Sequence, residues 1–322
     1  MKANTSALIK KGFGAGILSG MTWGLDTVLI GVAMAMAPFT ENPLLVIGGT
    51  FICSMLHDTF AAFWMFVIMG HKGKLKELKC ALFSKDGVFC MIGALFGGPL
   101  AMTFYMMAIS TSGPALTATV TSIYPLLGSA LALIILKEKI TLKGWIGLCI
   151  CVLGIVYIGY SPNNETNNIL IGILFALIAA IGWATEGVVC GYGMKSGKVD
   201  PYMALLIRES TSAVIYILLI TPIMLGGYSE MIIGTKAIVE YIPCITTLFF
   251  TALIGMSSFL MWYTGIDLIG AAKALCLNVT YSFWAVVFSF LIIGGAISIN
   301  IVIGSIMIIS GVTIATLIKR KK

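Results

Sequence analysis

From residue 12 to residue 318 the chain is a near-continuous series of apolar stretches, most of them about twenty residues or longer. A helix of that length crosses the hydrocarbon core of a bilayer. Between the stretches there is no segment long enough for a soluble domain. In lipid every backbone polar group must be satisfied within the protein, which leaves helices or a closed barrel. Barrel strands alternate apolar and polar residues with period two, and these stretches do not. Only 10% of residues are charged, against about 25% in soluble domains. The fold class is therefore an all-α polytopic membrane protein.

Ten transmembrane helices are predicted, at about 12–36, 42–70, 87–109, 114–136, 143–160, 169–194, 201–225, 241–266, 270–293 and 297–318. Residues 161–168 are polar and read as a loop, and 226–240 as the longest polar connection of the second half. Span three is broken by Gly97-Gly98-Pro99, and span four has Tyr124-Pro125 at its middle, where the proline can kink it. In span one, Gly12, Gly16, Gly20 and Gly24 form a ladder on which another helix can pack closely. Lys10 and Lys11 before an apolar run, with Ala35-Met36-Ala37 after it, have the outline of a signal peptide. The run is about twice too long for that and carries Asp26, so it reads as the first span.

Basic residues test the count. With both termini cytoplasmic, all of them lie on the inner side except Lys236 and the intraspan Arg208, as the positive-inside rule expects. The net charge of +7 thus reports orientation in a lipid bilayer, not nucleic-acid binding. The eight cysteines show no metal-ligand spacing and read as small packing residues. No cofactor motif and no nucleotide-binding motif appear.

The end of the first half aligns with the end of the second at an offset of 157. Gly113 meets Gly270, Ala115 meets Ala272, Tyr124 meets Tyr281, Ile140 meets Ile297, Gly147 meets Gly304 and Gly154 meets Gly311. Near the start of each half, Trp23 and Trp183 differ by 160. The expected organisation is a first five-helix repeat at 1–160, an outer loop at 161–168, and a second repeat with a short basic tail at 169–322. An odd number of spans per repeat inverts the second copy. In transporters built that way the site lies at the repeat interface near the midplane.

Charged groups inside the spans are the candidate site residues, because burying them in lipid is costly. Glu186 shares a helix face with Trp183, three residues away, and Asp26 stands likewise to Trp23. An acid beside an indole suggests a cationic guest, since ring faces attract positive charge and quaternary ammonium groups above all. Trp23 and Trp183 are candidate cage walls; helix packing or an interfacial position is the plain alternative. Tyr124 and Tyr281 form a symmetric mid-span pair. Asn278, Tyr281 and Trp284 are spaced by three and would form one stripe, with Asn278 able to accept from a substrate hydroxyl. Trp262 and Tyr263 are further wall candidates. Glu186 is the first choice to meet the ligand's charge and is also a candidate proton carrier; pairing with a basic or polar neighbour is the bland alternative. Asp26, His57 and Asp58 are candidates for coupling or cavity polarity. His57 and Asp58 are helix neighbours about 100° apart, so a direct bond between them is not expected. Arg208 and Glu209 read as gate or packing residues, with Arg208 pairing with Asp58 or Glu209.

Six motifs carry a resemblance: Trp23-Gly24-Leu25, His57-Asp58, Ser122-Ile123-Tyr124-Pro125, Trp183-Ala184-Thr185-Glu186, Ala204-Leu205-Leu206-Ile207-Arg208, and Ala272-Lys273-Ala274 followed by Leu277 to Tyr281 and Trp284. In this order they resemble the drug/metabolite transporter superfamily with its EamA-type repeats, and within it the LicB-type bacterial choline transporters. The resemblance covers nearly the whole chain. It implies uptake of choline or a related small amine across the cytoplasmic membrane of a bacterium, with the substrate in an aromatic cage closed by an acid. The pattern departs at Asp26, where an acid is not typical. The alternative on the same fold is an exporter of amino acids or cationic drugs. A lipid-modifying enzyme would need a catalytic cluster, and His57-Asp58 has no nucleophile or metal ligands beside it, so no enzyme is expected.

Overall fold

The computed structural model describes residues 2–112, 117, 120–159, 169–294 and 299–316. Among these every regular element is a helix. In chain order they are α1 (Lys2–Met34), α2 (Ala37–Glu41), α3 (Pro43–His71), α4 (Leu75–Leu82), α5 (Lys85–Leu95), α6 (Ala101–Ser112), α7 (Tyr124–Leu131) and α8 (Leu142–Gly159). The second half comprises α9 (Ile169–Met194), α10 (Pro201–Ile215), α11 (Thr221–Leu225), α12 (Tyr228–Glu240), α13 (Ile242–Ile269), α14 (Ala271–Asn278), α15 (Tyr281–Ile293) and α16 (Ile299–Thr316). Seven segments are long and apolar enough to cross a membrane: 6–34, 43–71, 85–109, 170–194, 201–225, 242–269 and 271–293. Three shorter apolar helices, at 124–136, 142–157 and 302–315, fall where spans four, five and ten were predicted.

Three departures from the sequence reading have clear causes. The connection read as polar loop at 226–240 is largely the helix α12. It buries Met231, Gly234 and Ile238 while Ile232 and Ile233 stay exposed, so it is apolar on two faces. Span three is not severed at Gly97-Gly98-Pro99. Phe96–Leu100 forms a π-helical turn that joins α5 to α6, a wider turn that accommodates the missing proline N–H. Span nine is severed, between α14 and α15. Span four breaks at the matching place, where residues 122–123 form a turn and Pro125 occupies the first turn of α7. Tyr124 and Tyr281, paired by the offset, each start the helix after the break.

Packing follows the repeat. α1 lies on α13 and α9 lies on α5 and α6; α3 packs on α10, α7 on α14 and α8 on α16. Exchanging the helices of the first half for their counterparts in the second returns the same set of pairs. The glycines show the exchange at atomic scale. A Cβ on Gly147 would lie 2.5 Å from the Gly311 oxygen, and one on Gly154 would lie 2.7 Å from the Gly304 oxygen. The offset equates Gly147 with Gly304 and Gly154 with Gly311, so each meets its partner's equivalent. That swap is the signature of a contact around a two-fold axis, and α8 and α16 run antiparallel across it. Cys151 and Ile308, equivalent by the same offset, meet directly, with Cys151 Sγ 3.5 Å from the Ile308 oxygen. The Gly ladder of α1 behaves as its spacing predicts. Added Cβ atoms on Gly12, Gly16, Gly20 and Gly24 would strike Ile269, Leu277, Thr280 and Trp284. α1 therefore lies flush against the end of α13 at Gly12 and against the broken span nine at Gly16, Gly20 and Gly24.

Near the N-terminal end of α1, Glu138 reaches from the end of span four to the start of α14. Its Oε1 accepts from Ala271 N at 2.7 Å and its Oε2 from Ala272 N at 3.1 Å. A carboxylate on free N–H groups at a helix start satisfies orphan donors and opposes the helix dipole.

Candidate functional site

Tyr124 and Tyr281, which start the helices after the two breaks, line a cavity of about 230 Å³. It extends from the middle of the bundle toward Ile30 and Met34 on α1, Thr50 on α3, and Met102 and Met106 on α6.

Four rings predicted from the repeat meet at its wall. Trp23 stacks on Tyr281 with ring centroids 4.4 Å apart and planes 21° apart. Trp183 stands edge-on to Trp23 at 6.4 Å, and Tyr124 lies 6.4 Å from Trp23 and 6.1 Å from Trp183. Tyr105, 5.1 Å from Trp183, and Phe259, 6.3 Å from Trp23, extend the wall. Trp262 also lines the cavity. Such a box offers several ring faces to a cation, each worth roughly 1–2 kcal/mol once dry.

Beside the box sits a buried charged cluster. Arg208 Nε donates to Glu186 Oε1 at 2.8 Å and Nη1 donates to Glu209 Oε2 at 2.9 Å, while Asp58 Oδ2 lies 3.7 Å from Nη1. The guanidinium also stacks over Phe259 at 4.2 Å. Glu186 Oε1 takes a second bond from Tyr263 Oη at 3.1 Å. His57 bridges two acids, with Nε2 3.1 Å from Asp26 Oδ1 and Nδ1 3.4 Å from Asp58 Oδ1. Ser212 Oγ donates to Asp58 Oδ2 at 2.5 Å. The cluster thus sets Asp26, Asp58, Glu186 and Glu209 against Arg208 and His57, an excess of acid in a place that penalises unpaired charge.

Small residues make the space for it. A Cβ on Gly97, in the π turn, would fall 1.6 Å from Glu186 Oε2. One on Gly98 would fall 2.2 Å from Ser212 Oγ. One on Gly255 would lie 2.5 Å from His57 Nε2 and 2.7 Å from Asp26 Oδ1.

Some sequence-predicted residues sit elsewhere or act differently. Trp284 is outside the cavity wall, packed on Phe283 and Phe288 and against Gly24 of α1. Asn278 is buried away from the wall; its Oδ1 accepts from Tyr124 Oη at 3.0 Å and its Nδ2 donates to Ser19 Oγ. The predicted stripe assumed one continuous helix, and the break after Asn278 separates its members. Tyr263 acts through Glu186 rather than as wall. Arg208 faces the cavity and pairs with Glu209 and Asp58 as read, and it also holds Glu186, so that acid has the basic partner of the plain alternative. His57 and Asp58 do approach each other, with Nδ1 3.4 Å from Asp58 Oδ1.

A two-repeat helical bundle around a central cavity of rings and acids has the build of a membrane transporter. The EamA-like transporter family matches residues 10–160 and again 170–317. The chain belongs to this family and is a multi-pass membrane protein. It is similar to Protein LicB of Haemophilus influenzae, at 25% identity over 287 residues covering 88% of this chain and 89% of that one. It is also similar to the uncharacterized transporter YyaM of Bacillus subtilis, at 26% identity over 217 residues covering 66% and 67%. A solved crystal structure, described only as that of a protein, shares the fold with a TM-score of 0.70 at 18% identity, over 96% of this chain and 97% of that chain.

Proposed function

We propose that this protein takes up choline or a closely related small quaternary amine by alternating access. In this reading ten spans form two inverted five-helix repeats, with both termini on the cytoplasmic side of a bacterial inner membrane. The observation that carries the reading is the box of Trp23, Tyr124, Trp183 and Tyr281 beside a buried cluster with more acids than bases. A methylated cation donates no hydrogen bond, so ring faces and unbalanced negative charge are what it needs. Glu186 contributes through charge while Arg208 and Tyr263 hold it in place. The cavity runs toward the C-terminal end of α1, the outer end in this topology, so the arrangement corresponds to an outward-facing carrier. A cation entering a negative-inside cell gains about 2.3 kcal/mol per 100 mV, so the membrane potential alone can drive accumulation, with protons as an additional source.

The test is radiolabelled choline uptake into proteoliposomes under an imposed negative-inside potential, for wild type, Glu186→Gln and Trp183→Ala. Saturable uptake that both substitutions abolish supports the reading. Absence of choline uptake, with no competition from other quaternary amines, overturns the substrate assignment and turns attention to amino acids and drug cations.

A further inference from the structure

The aromatic box explains recognition of a cation but not the second acid on α1. Asp26 lies three residues beyond Trp23, about 4.5 Å along the helix axis, and both line the cavity. Asp26 is 5% exposed. Its position is built. Oδ1 faces His57 Nε2 at 3.1 Å, His57 Nδ1 approaches Asp58 Oδ1, and Ser212 fixes the other oxygen of Asp58. The space occupied by Asp26 Oδ1 and His57 Nε2 exists only because residue 255 is glycine. Among the described residues Asp26 Oδ2 has no protein hydrogen-bond partner, whereas Oε1 of Glu186 is taken by Arg208 and Tyr263. Glu186 Oε2 is likewise unpartnered but sealed inside the bundle against Gly97. Asp26 thus presents open acceptor capacity one helical turn outward of the cage.

Resting on the quaternary-amine reading above, we infer that Asp26, braced by His57, determines specificity at the outer side of the cage. It accepts a hydrogen bond from a hydroxyl or N–H group that the substrate carries one helical turn from the caged nitrogen. Its charge also rejects substrates with a carboxylate at that position. The preferred class is accordingly a quaternary amine with a neighbouring donor, over simple tetraalkyl ammonium ions, over ethers that lack the donor, and over zwitterions. A hydrogen bond to a charged group, once lost, changes affinity by about tenfold to a hundredfold.

The experiment is equilibrium binding to purified full-length protein in detergent with three probes: choline, choline methyl ether and glycine betaine. Wild type, Asp26→Asn, Asp26→Ala and His57→Gln are compared after size-exclusion confirms folded protein. The expected result is a choline preference over the ether of at least about tenfold in wild type, falling to within about twofold in Asp26→Ala. Asp26→Asn keeps an acceptor and loses the charge, so it retains part of the hydroxyl preference while betaine affinity rises. His57→Gln narrows the choline-to-ether ratio by loosening the brace. Equal wild-type affinity for choline and its ether, or an unchanged ratio in folded Asp26→Ala, overturns the inference. If Asp26→Ala does not fold, the wild-type ratio and His57→Gln decide. Loss of all binding by wild type, ether and choline alike, sinks the quaternary-amine reading itself, a result distinct from failure of the selector.

Discussion

Gly97→Ala isolates the connection between the π turn and the buried acid. The new Cβ would lie 1.6 Å from Glu186 Oε2 and 2.2 Å from its Cδ, where an ordinary contact needs roughly 3.4–4 Å. The carboxylate must move by about 2 Å, away from the bonds that now hold it. Displaced, it gives up the Arg208 Nε bond at 2.8 Å and the Tyr263 Oη bond at 3.1 Å. A bond to a charged group is worth about 1.5–3 kcal/mol and a second bond about 1 kcal/mol, so the cost is about 3 kcal/mol. Breaking a buried ion pair commonly costs about that or more. The assay is thermal unfolding of purified protein in detergent, together with choline binding. Gly97→Ala should lower Tm by roughly 4–5 °C, from about 2.1 cal/mol/K of unfolding entropy per residue over 322 residues, and weaken choline binding. Gly31→Ala, where a Cβ meets nothing within 4 Å, should behave as wild type. On a Glu186→Ala background the Gly97→Ala cost should shrink but not vanish, because the clashing carboxylate is gone while residue 186 keeps its Cβ, 2.8 Å from the new methyl. Gly97→Ala with wild-type Tm and affinity, or an undiminished cost in the double variant, would refute the reasoning.

Other outcomes follow from the same geometry. Trp23→Ala removes a ring stacked on Tyr281 and should weaken choline about tenfold by isothermal titration, while Trp284→Ala, outside the cavity wall, should leave affinity within about twofold. Gly147→Ala sets a methyl 2.5 Å from backbone atoms of α16, which do not yield as a side chain can; little monodisperse protein should be recovered on size exclusion. Glu138→Ala strips the start of α14 of both acceptors and should cost about 1–2 kcal/mol in unfolding free energy, whereas Glu138→Asp, if it still reaches one N–H, should cost less.

What could be read from the chain was whatever repeats or keeps a fixed helical register. The four rings of the box were legible because Trp23 and Trp183, and Tyr124 and Tyr281, recur in both halves at nearly one offset. The flush face of α1 was legible as glycines at spacing four. Register also misled where a helix ends unseen: Asn278, Tyr281 and Trp284 look like one face only if the helix continues, and no proline marks the break in span nine as Pro125 marks the one in span four. Tyr105, Phe259, Met102 and Met106 were missed because an apolar side chain facing a cavity and one facing lipid look alike in sequence. Arg208 meets Glu209 and Asp58 as read from the sequence, but its bond to Glu186 was missed for a different reason. Its partner Glu186 is on another helix, and a tertiary ion pair leaves no spacing to find.

Glu138 makes the two halves unequal. The offset that equates Ala271 with Pro114 equates Glu138 with Gly295. A proline has no N–H to be held and a glycine has no carboxylate to hold it, so the sequence does not repeat this pair in the other half. In a rocking carrier with exchangeable halves the inward and outward resting states would otherwise be near isoenergetic. A clasp on one side only tilts that balance, and each 1.4 kcal/mol shifts the populations tenfold. In the topology proposed above, α14 is clasped at the cytoplasmic end, so the empty protein would rest open to the outside, the posture that suits the proposed uptake of a dilute nutrient.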